Sequence, residues 1–256
     1  MRTIILIAQH SFKELIRKKD LYVFFLLLVG IMLFFSLNSS FGVSDTSRYL
    51  KDIGYTLILL FSVIITISFS AKQIPVELSS KTIYPLLAKP VSRTDVVLGK
   101  FLSGSLISFC SFTIFFLCYI IMVLLKGSST SIILITQSYV LTLLLLSLLS
   151  SISIFFSLFL STGANVTITL LLYFFISYYN SMLRDMLITA KGAVYYIYST
   201  LFYLLPHFDF YDIKIRLVHD WDPVALWAFG SIILYSFFYI TIILILSSAV
   251  FKKRSL

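Results

Sequence analysis

Six long apolar runs are the feature of this sequence that most constrains its fold. A helix needs roughly 20 apolar residues to cross the bilayer's hydrocarbon core of about 30 Å. The runs cover residues 21–38, 53–72, 98–125, 132–160, 164–181 and 224–250. Composition agrees, because only 12% of the 256 residues are charged, against about 25% in soluble domains. We predict an all-α polytopic membrane protein with six transmembrane helices in one domain, 1–256.

The distribution of basic residues predicts how the chain is oriented. With the N-terminus inside and the spans alternating, thirteen of the 20 Lys and Arg residues and four of the 11 acidic residues lie inside. The outer side then carries seven of each. This asymmetry follows the positive-inside rule, which predicts two cytoplasmic termini. We expect a bacterial cytoplasmic (inner) membrane protein that binds membrane lipids and no nucleic acid.

The apolar runs lack groups that could power transport or perform catalysis. Their cores contain no Asp, Glu, Lys, Arg or His. We expect Lys72 and Lys100, at cytoplasmic ends, to extend their stems to the interface. The Gly99-Lys100 pair is followed by Phe101 and belongs to no phosphate-binding P-loop. We therefore predict that the chain is not an enzyme, that it binds no cofactor or metal of its own, and that a separate protein supplies the energy.

Residues 73–97 are predicted to form the one substantial cytoplasmic loop. The chain from residue 81 into the third run, to residue 100, reads KTIYPLLAKPVSRTDVVLGK. Pro75 suits the first turn of a helix, whereas Pro85 and Pro90 interrupt helices. Glu77 and Lys81 have the spacing of a favourable helical ion pair. The S-x-x-D pattern from Ser92 to Asp95 predicts a helix start. The exposed apolar residues of this loop need a cover, which the inner leaflet or a docked partner could provide equally well.

The segment from residue 77 to residue 100 resembles the first cytoplasmic loop of ATP-binding cassette (ABC) transporter permeases of the type 2 exporter class. The matching positions are Glu77, Thr82, Leu86, Leu87, Pro90, Ser92, Arg93, Gly99 and Lys100. Elsewhere the resemblance is one of architecture: six spans, both termini inside and a large outer segment between spans five and six.

The resemblance implies a coupling helix that docks on a separate ABC ATPase (nucleotide-binding) subunit, where ATP and Mg would bind. The residues expected to contact that partner are Glu77, Lys81, Thr82, Tyr84, Leu86 and Leu87. Those expected to shape the loop are Pro85, Pro90, Ser92, Arg93 and Asp95. A second permease copy or a paralogue would complete the pathway.

Two segments outside the spans have their own predicted structure. Residues 1–20 carry an apolar helical stripe and are expected to form an interfacial helix. Residues 182–223 are expected to form an extracytoplasmic helical segment, interfacial or re-entrant, that could meet an outer partner. Its polar residues could bind a metal or act as solvated loop residues and helix caps. They are His207, Asp209, Asp212, His219, Asp220 and Asp222.

Serines recur at helical spacing along the fourth run, at Ser147, Ser150, Ser157 and Ser161. Small hydroxyl residues allow helices to pack closely, and they could also line a translocation path. Both interpretations stay open at this point.

The function these features favour is the membrane-spanning subunit of an ATP-driven exporter, with a lipid-like or amphipathic substrate. The alternative is a non-transporting membrane scaffold or assembly factor associated with an ATPase. A passive channel would need no docking loop.

Overall fold

All regular elements in the described part of the chain are helices. The computed structural model describes residues 46–79, 92–125, 131–189 and 192–253, and five further positions between 23 and 30. The elements are α1 (Thr46–Ser79), α2 (Arg93–Leu125), α3 (Ile132–Ser157), α4 (Thr162–Thr189), α5 (Ala193–Leu204), a 3₁₀ helix (Phe208–Tyr211), α6 (Lys214–His219) and α7 (Leu226–Lys253). The predicted all-α class is confirmed for these residues.

Four of the described helices, α1, α2, α3 and α7, are long and apolar enough to cross a membrane. Helix α4 contains the fifth apolar run but is not among these four. The first run and the predicted interfacial helix 1–20 lie outside the described residues, apart from the five positions mentioned above. Six spans therefore remain a prediction. At 1.5 Å per residue, the 34 residues of α1 extend about 50 Å, well beyond the hydrocarbon core.

Contacts between helix ends show that α2 runs antiparallel to both α1 and α7. Lys51, near the start of α1, contacts Asp220, and the backbone oxygen of Lys51 accepts a bond from Tyr119, near the end of α2. At the other end of the bundle, Arg93 at the start of α2 contacts the last turn of α7. We call these two ends of the bundle the Asp220 end and the Ser92 end.

Helix α3 is the central helix, packing against α1, α2, α4 and α7. Its contacts combine aromatic and hydroxyl side chains. The rings of Tyr139 and Phe112 stack with centroids 5.7 Å apart, and Tyr55 bonds Thr142 at 2.9 Å. At the Asp220 end, the Gln137 amide makes two bonds to the Val224 backbone, of 2.8 and 2.9 Å. Such hydrogen bonds satisfy polar groups that hydrocarbon cannot.

Small residues bring α1, α2 and α3 into close contact at one level. Ser70 of α1 and Ser150 of α3 bond each other at 2.9 Å. Gly104 of α2 lies against this pair, and a Cβ there would fall 2.6 Å from Ser150 Oγ and 2.8 Å from Ser70 Oγ. The glycine is therefore required by the close approach of three helices.

The outward faces of α4 and α7 are apolar. On α7 the side chains of Leu234, Phe238 and Ile245 are each more than 60% exposed, and Leu171 and Phe175 are exposed on α4. In water such a surface would be unfavourable, but lipid chains or another membrane helix cover it without cost.

The described helices change the boundaries of two predicted segments. Residues 73–79 belong to α1 and residues 93–97 to α2, so the predicted loop 73–97 is shorter than expected. Pro75 lies inside α1 and not in a first turn; near a helix end it removes only one backbone bond. Helix α4 continues to Thr189, into the predicted outer segment 182–223. Within that segment, α5 is a helix of 12 residues, too short to span.

Replacing Gly104 with a large residue should disrupt the central contact. We expect Gly104→Leu to lower the free energy of unfolding by about 1–3 kcal/mol, because the added side chain overpacks the Ser70–Ser150 contact. The matched control is Gly230→Leu on α7, where a Cβ would have no neighbouring heavy atom within 4 Å. Thermal unfolding of both purified variants in the same detergent measures the difference. Equal midpoints would contradict the assigned close approach.

Candidate functional site

The helices on either side of residues 80–91 are joined by an ion pair between Glu77 of α1 and Lys100 of α2. The Lys100 side chain is only 4% exposed and that of Glu77 is 26% exposed. The expectation that Lys100 extends to the interface is therefore wrong; its stem is buried between the two helices. Lys72, by contrast, is exposed as expected. A buried ammonium is stable only with a partner of opposite charge, which Glu77 supplies.

A reciprocal capping box begins α2, as the S-x-x-D spacing predicts. The backbone N–H of Asp95 donates to Ser92 Oγ at 3.1 Å, and the backbone N–H of Ser92 donates to Asp95 Oδ2 at 3.2 Å. Ser92 Oγ also contacts Thr94 Oγ1 at 2.6 Å. Two N–H groups that the first helical turn leaves unpaired are thereby satisfied. The predicted helix start at Ser92 is confirmed.

Arg93 connects the beginning of α2 to the end of α7. Its Nη1 donates to the backbone oxygens of Phe251 and Lys252, at 2.9 and 3.3 Å. The guanidinium also lies over the buried ring of Phe251, 5.8 Å from its centroid. A cation at a helix C-terminus satisfies terminal carbonyls and interacts favourably with the helix dipole. Arg93 is thus the C-terminal cap of the last long helix.

These three contacts form what we call the loop stem: Glu77, Ser92, Arg93, Asp95 and Lys100. The other residues predicted to contact a partner or to shape the loop lie outside the described residues. They are Lys81, Thr82, Tyr84, Pro85, Leu86, Leu87 and Pro90. Their assignments stay predictions, whereas the described ones lie together at the Ser92 end.

The serines of the fourth run divide into two environments. Ser147, Ser150 and Ser157 are at most 6% exposed. Ser147 and Ser157 donate to backbone oxygens of their own helix, and Ser150 bonds Ser70 of α1. Ser161 lies in the exposed connection to α4. Of the three buried serines, Ser150 bonds another helix, and the choice between packing and a translocation path stays open.

The polar residues at the Asp220 end act as caps, hydrogen-bond partners and an ion-pair partner. Asp220 adopts a left-handed conformation, φ 51°, at the C-cap of α6, and its carboxylate accepts bonds of 2.7 and 2.8 Å from Lys51. Asp212 accepts from the Lys214 backbone. His207 is buried and bonds Tyr235 through its backbone N–H and Nδ1. Within the described ranges, no group of three or more His, Cys, Asp or Glu could hold a metal.

Tyr211, in the 3₁₀ helix, is a further buried polar residue at the Asp220 end. Burial raises its pKa to about 12, so the phenol stays protonated at physiological pH. It bonds Ser236 of α7 at 2.7 Å, joining the 3₁₀ helix to the last long helix.

Comparison with known families shows to which family the chain belongs. The family model described as ABC-2 family transporter protein matches residues 5–256, nearly the whole chain. The chain belongs to the ABC-2 family. ABC-2 membership makes it a transmembrane subunit of an ABC transporter and a multi-pass membrane protein, as the loop resemblance implied. A search of curated proteins found no match.

Membership in the ABC-2 family also implies a partner, an ABC ATPase subunit. ABC-2 membrane subunits are in general not themselves the ATPase. This agrees with the absence of a P-loop from the sequence, where Gly99-Lys100 leads directly into α2.

Two contacts of the loop stem were missed by sequence reasoning. The predicted pair of Glu77 and Lys81 stays untested because Lys81 lies outside the described residues, but the contact of Glu77 with Lys100, 23 residues away, was not predicted. The available signal was opposite charge near the facing ends of consecutive helices. Arg93 was expected to shape the loop, but nothing in the sequence relates it to Phe251 and Lys252.

Removing the charge of Glu77 should lower the free energy of unfolding more than removing the charge of Lys100. Glu77→Gln leaves the buried Lys100 ammonium without its counter-charge, and we expect a loss of the order of 3 kcal/mol in unfolding free energy. Lys100→Met leaves a carboxylate that is 26% exposed, so it should cost less. Thermal unfolding in detergent measures both, with exposed Lys72→Met as control. A larger loss for Lys100→Met than for Glu77→Gln would contradict the burial of Lys100.

Proposed function

We propose that this ABC-2 subunit is the permease of an ATP-driven exporter, coupled to its ATPase through the segment 80–91. The observation that supports this most directly is the loop stem. Glu77 and Lys100 hold the two helices that flank the segment together, while Arg93 joins them to the end of α7. A displacement of the segment would therefore act on α1, α2 and α7 as one unit.

In the proposed arrangement the Ser92 end faces the cytoplasm. The positive-inside rule supports this orientation, because the last turn of α7 carries Lys252 and Lys253. The ATPase subunit would hold ATP and Mg, and its docking surface would receive the coupling residues Glu77, Lys81, Thr82, Tyr84, Leu86 and Leu87. Docking would cover the apolar side chains of the segment and so remove them from water.

The complete exporter is proposed to contain two permease chains and two ATPase subunits in a bacterial inner membrane. The exposed apolar faces of α4 and α7 are available to lipid and to the second permease copy or paralogue. The segment from α5 to α6 would face outward, where an extracytoplasmic partner could meet it.

The proposed substrate is lipid-like or amphipathic. In the described helices, charged side chains lie within about two turns of a helix end. The middle sections instead present apolar, aromatic and hydroxyl groups. Surfaces of this kind attract apolar groups and hydrogen-bonding head groups, whereas they offer no counter-charge to a strongly ionic substrate.

Docking is tested by purifying the tagged full chain in mild detergent and identifying bound proteins by mass spectrometry. We expect an ABC ATPase with the original chain and its loss from the double variant Leu86→Asp, Leu87→Asp, because two carboxylates would be buried in the interface. Leu226→Asp is the matched control, since Leu226 is 81% exposed and lies at the Asp220 end. Retention of the ATPase by the double variant, or its absence from every form, would overturn docking at this segment.

Transport is tested by reconstituting the complex in vesicles that contain a fluorescent lipid analogue. ATP-dependent movement of the analogue between leaflets supports an exporter of lipid-like substrates. A bound ATPase with no such movement would favour the scaffold alternative.

Arg93 should be needed for transmission more than for assembly. We expect Arg93→Met to bind the ATPase but to slow ATP-dependent lipid movement by about tenfold, since a hydrogen bond from a charged group contributes about 1.5–3 kcal/mol. The control is Lys253→Met, because Lys253 is an exposed cation in the last turn of α7. This variant should move the lipid analogue at the normal rate. An unchanged rate in Arg93→Met would show that the bonds to α7 carry no coupling.

A further inference from the structure

Three polar atoms without hydrogen-bond partners belong to two buried residues, Gln73 of α1 and Ser103 of α2. Four buried side-chain nitrogen or oxygen atoms have no partner in the described part of the chain. Two of them are the amide atoms of Gln73, a residue that is only 7% exposed. A third is Oγ of Ser103, which is fully buried.

Gln73 and Ser103 lie at the same level of the bundle. Gln73 Nε2 is 3.2 Å from the position that a Cβ on Gly104 would occupy, and Gly104 follows Ser103 directly. The ion pair of Glu77 and Lys100 lies about one helical turn away along both helices. The amide therefore points into a polar region between the ion pair and the Ser70–Ser150 contact.

The neighbouring hydroxyls do not satisfy this amide. Ser70 and Ser150 bond each other, and Ser105, two positions beyond Ser103, donates to the backbone oxygen of Phe101. An amide buried without partners is strongly unfavourable, and more so where hydrocarbon surrounds the helices. In proteins, buried water commonly supplies the missing bonds of such groups.

We infer that Gln73 and Ser103 form a binding site for water inside the helical bundle. Water can donate to Gln73 Oε1 and accept from Nε2, and it can do either with Ser103 Oγ. A metal cation fits this site poorly. The two residues offer neutral oxygens only, the carboxylate of Glu77 is already paired with Lys100, and the Lys100 ammonium would repel a cation about one turn away.

Water at this position affects how α1 and α2 can move against each other. A water-bridged contact can rearrange without leaving an amide unpaired, whereas a direct bond would have to break. Hydration would thus ease a shift of the two helices when the segment between them is displaced. This consequence rests on the proposed function, but the water site does not, and it can be measured in the chain alone.

The test uses the full chain in lipid bilayers, labelled with ¹⁵N at glutamine side chains and observed by magic-angle-spinning NMR. The chain has three glutamines, Gln9, Gln73 and Gln137, and Gln73→Leu identifies the signal of Gln73. Gln137 is an internal control because it is only 4% exposed and both its amide atoms bond the Val224 backbone.

We expect magnetisation transfer from water to the Gln73 side-chain amide protons. In D₂O, these protons should exchange for deuterium at least tenfold faster than the side-chain amide protons of Gln137. Ser103→Ala should weaken the transfer because it removes one partner of the water, whereas Ser105→Ala should leave it unchanged. A Gln73 amide that receives no transfer from water and exchanges as slowly as Gln137 would overturn the proposal. These NMR measurements need neither the ATPase nor transport. They therefore test the water site even if the docking experiment fails.

Discussion

The close contact of α1, α2 and α3 is the interaction on which the other contacts of this structure depend. The three helices can approach closely because Gly104 has no side chain. The space beside Gly104 is occupied by Ser70 and Ser150, which bond each other. In a membrane, apolar surface alone gives helices little reason to associate, since lipid chains solvate leucine as well as leucine does. Close packing and interhelical hydrogen bonds supply the association, and α3 makes them on several sides.

Helix α1 is held at both ends by ion pairs with other elements, and in each pair a lysine is buried. At the Asp220 end, Lys51 of α1 meets the C-cap residue of α6. At the Ser92 end, Glu77 of α1 meets Lys100 of α2. Both pairs lie near helix ends, where the charged groups can be paired without crossing the centre of the bilayer. Each pair joins α1 to another element at a defined residue.

The loop stem connects helices that are far apart in the sequence. The capping box begins α2 at a defined residue, and Arg93, the next residue, satisfies carbonyls of α7. The start of one long helix and the end of another are therefore coupled through a single side chain. In the proposed exporter, this connection would transmit a displacement of the segment 80–91 to α7 without a long pathway of intermediate residues.

Much of the architecture followed from the sequence because its signals are local. Apolar runs of about 20 residues require helices in a membrane, and the described helices contain the second to sixth runs almost completely. The Ser92–Asp95 capping box was predicted for the same reason, since its two residues are three positions apart. Helix ends were less predictable; α1 continues through Pro75 to Ser79, although a proline inside a helix removes a backbone bond.

By itself, the sequence determined the helical class, the approximate positions of five described runs and the start of α2, because periodicity, hydropathy and capping act between near neighbours. Only the tertiary structure decided the partners of Glu77, Lys51 and Arg93, which are 23, 169 and 158 residues distant along the chain. It also decided that the Gln73 amide lies beside Gly104 of α2. A charge or amide can pair with any group that folding brings within about 3 Å, and chain spacing carries no information about that choice.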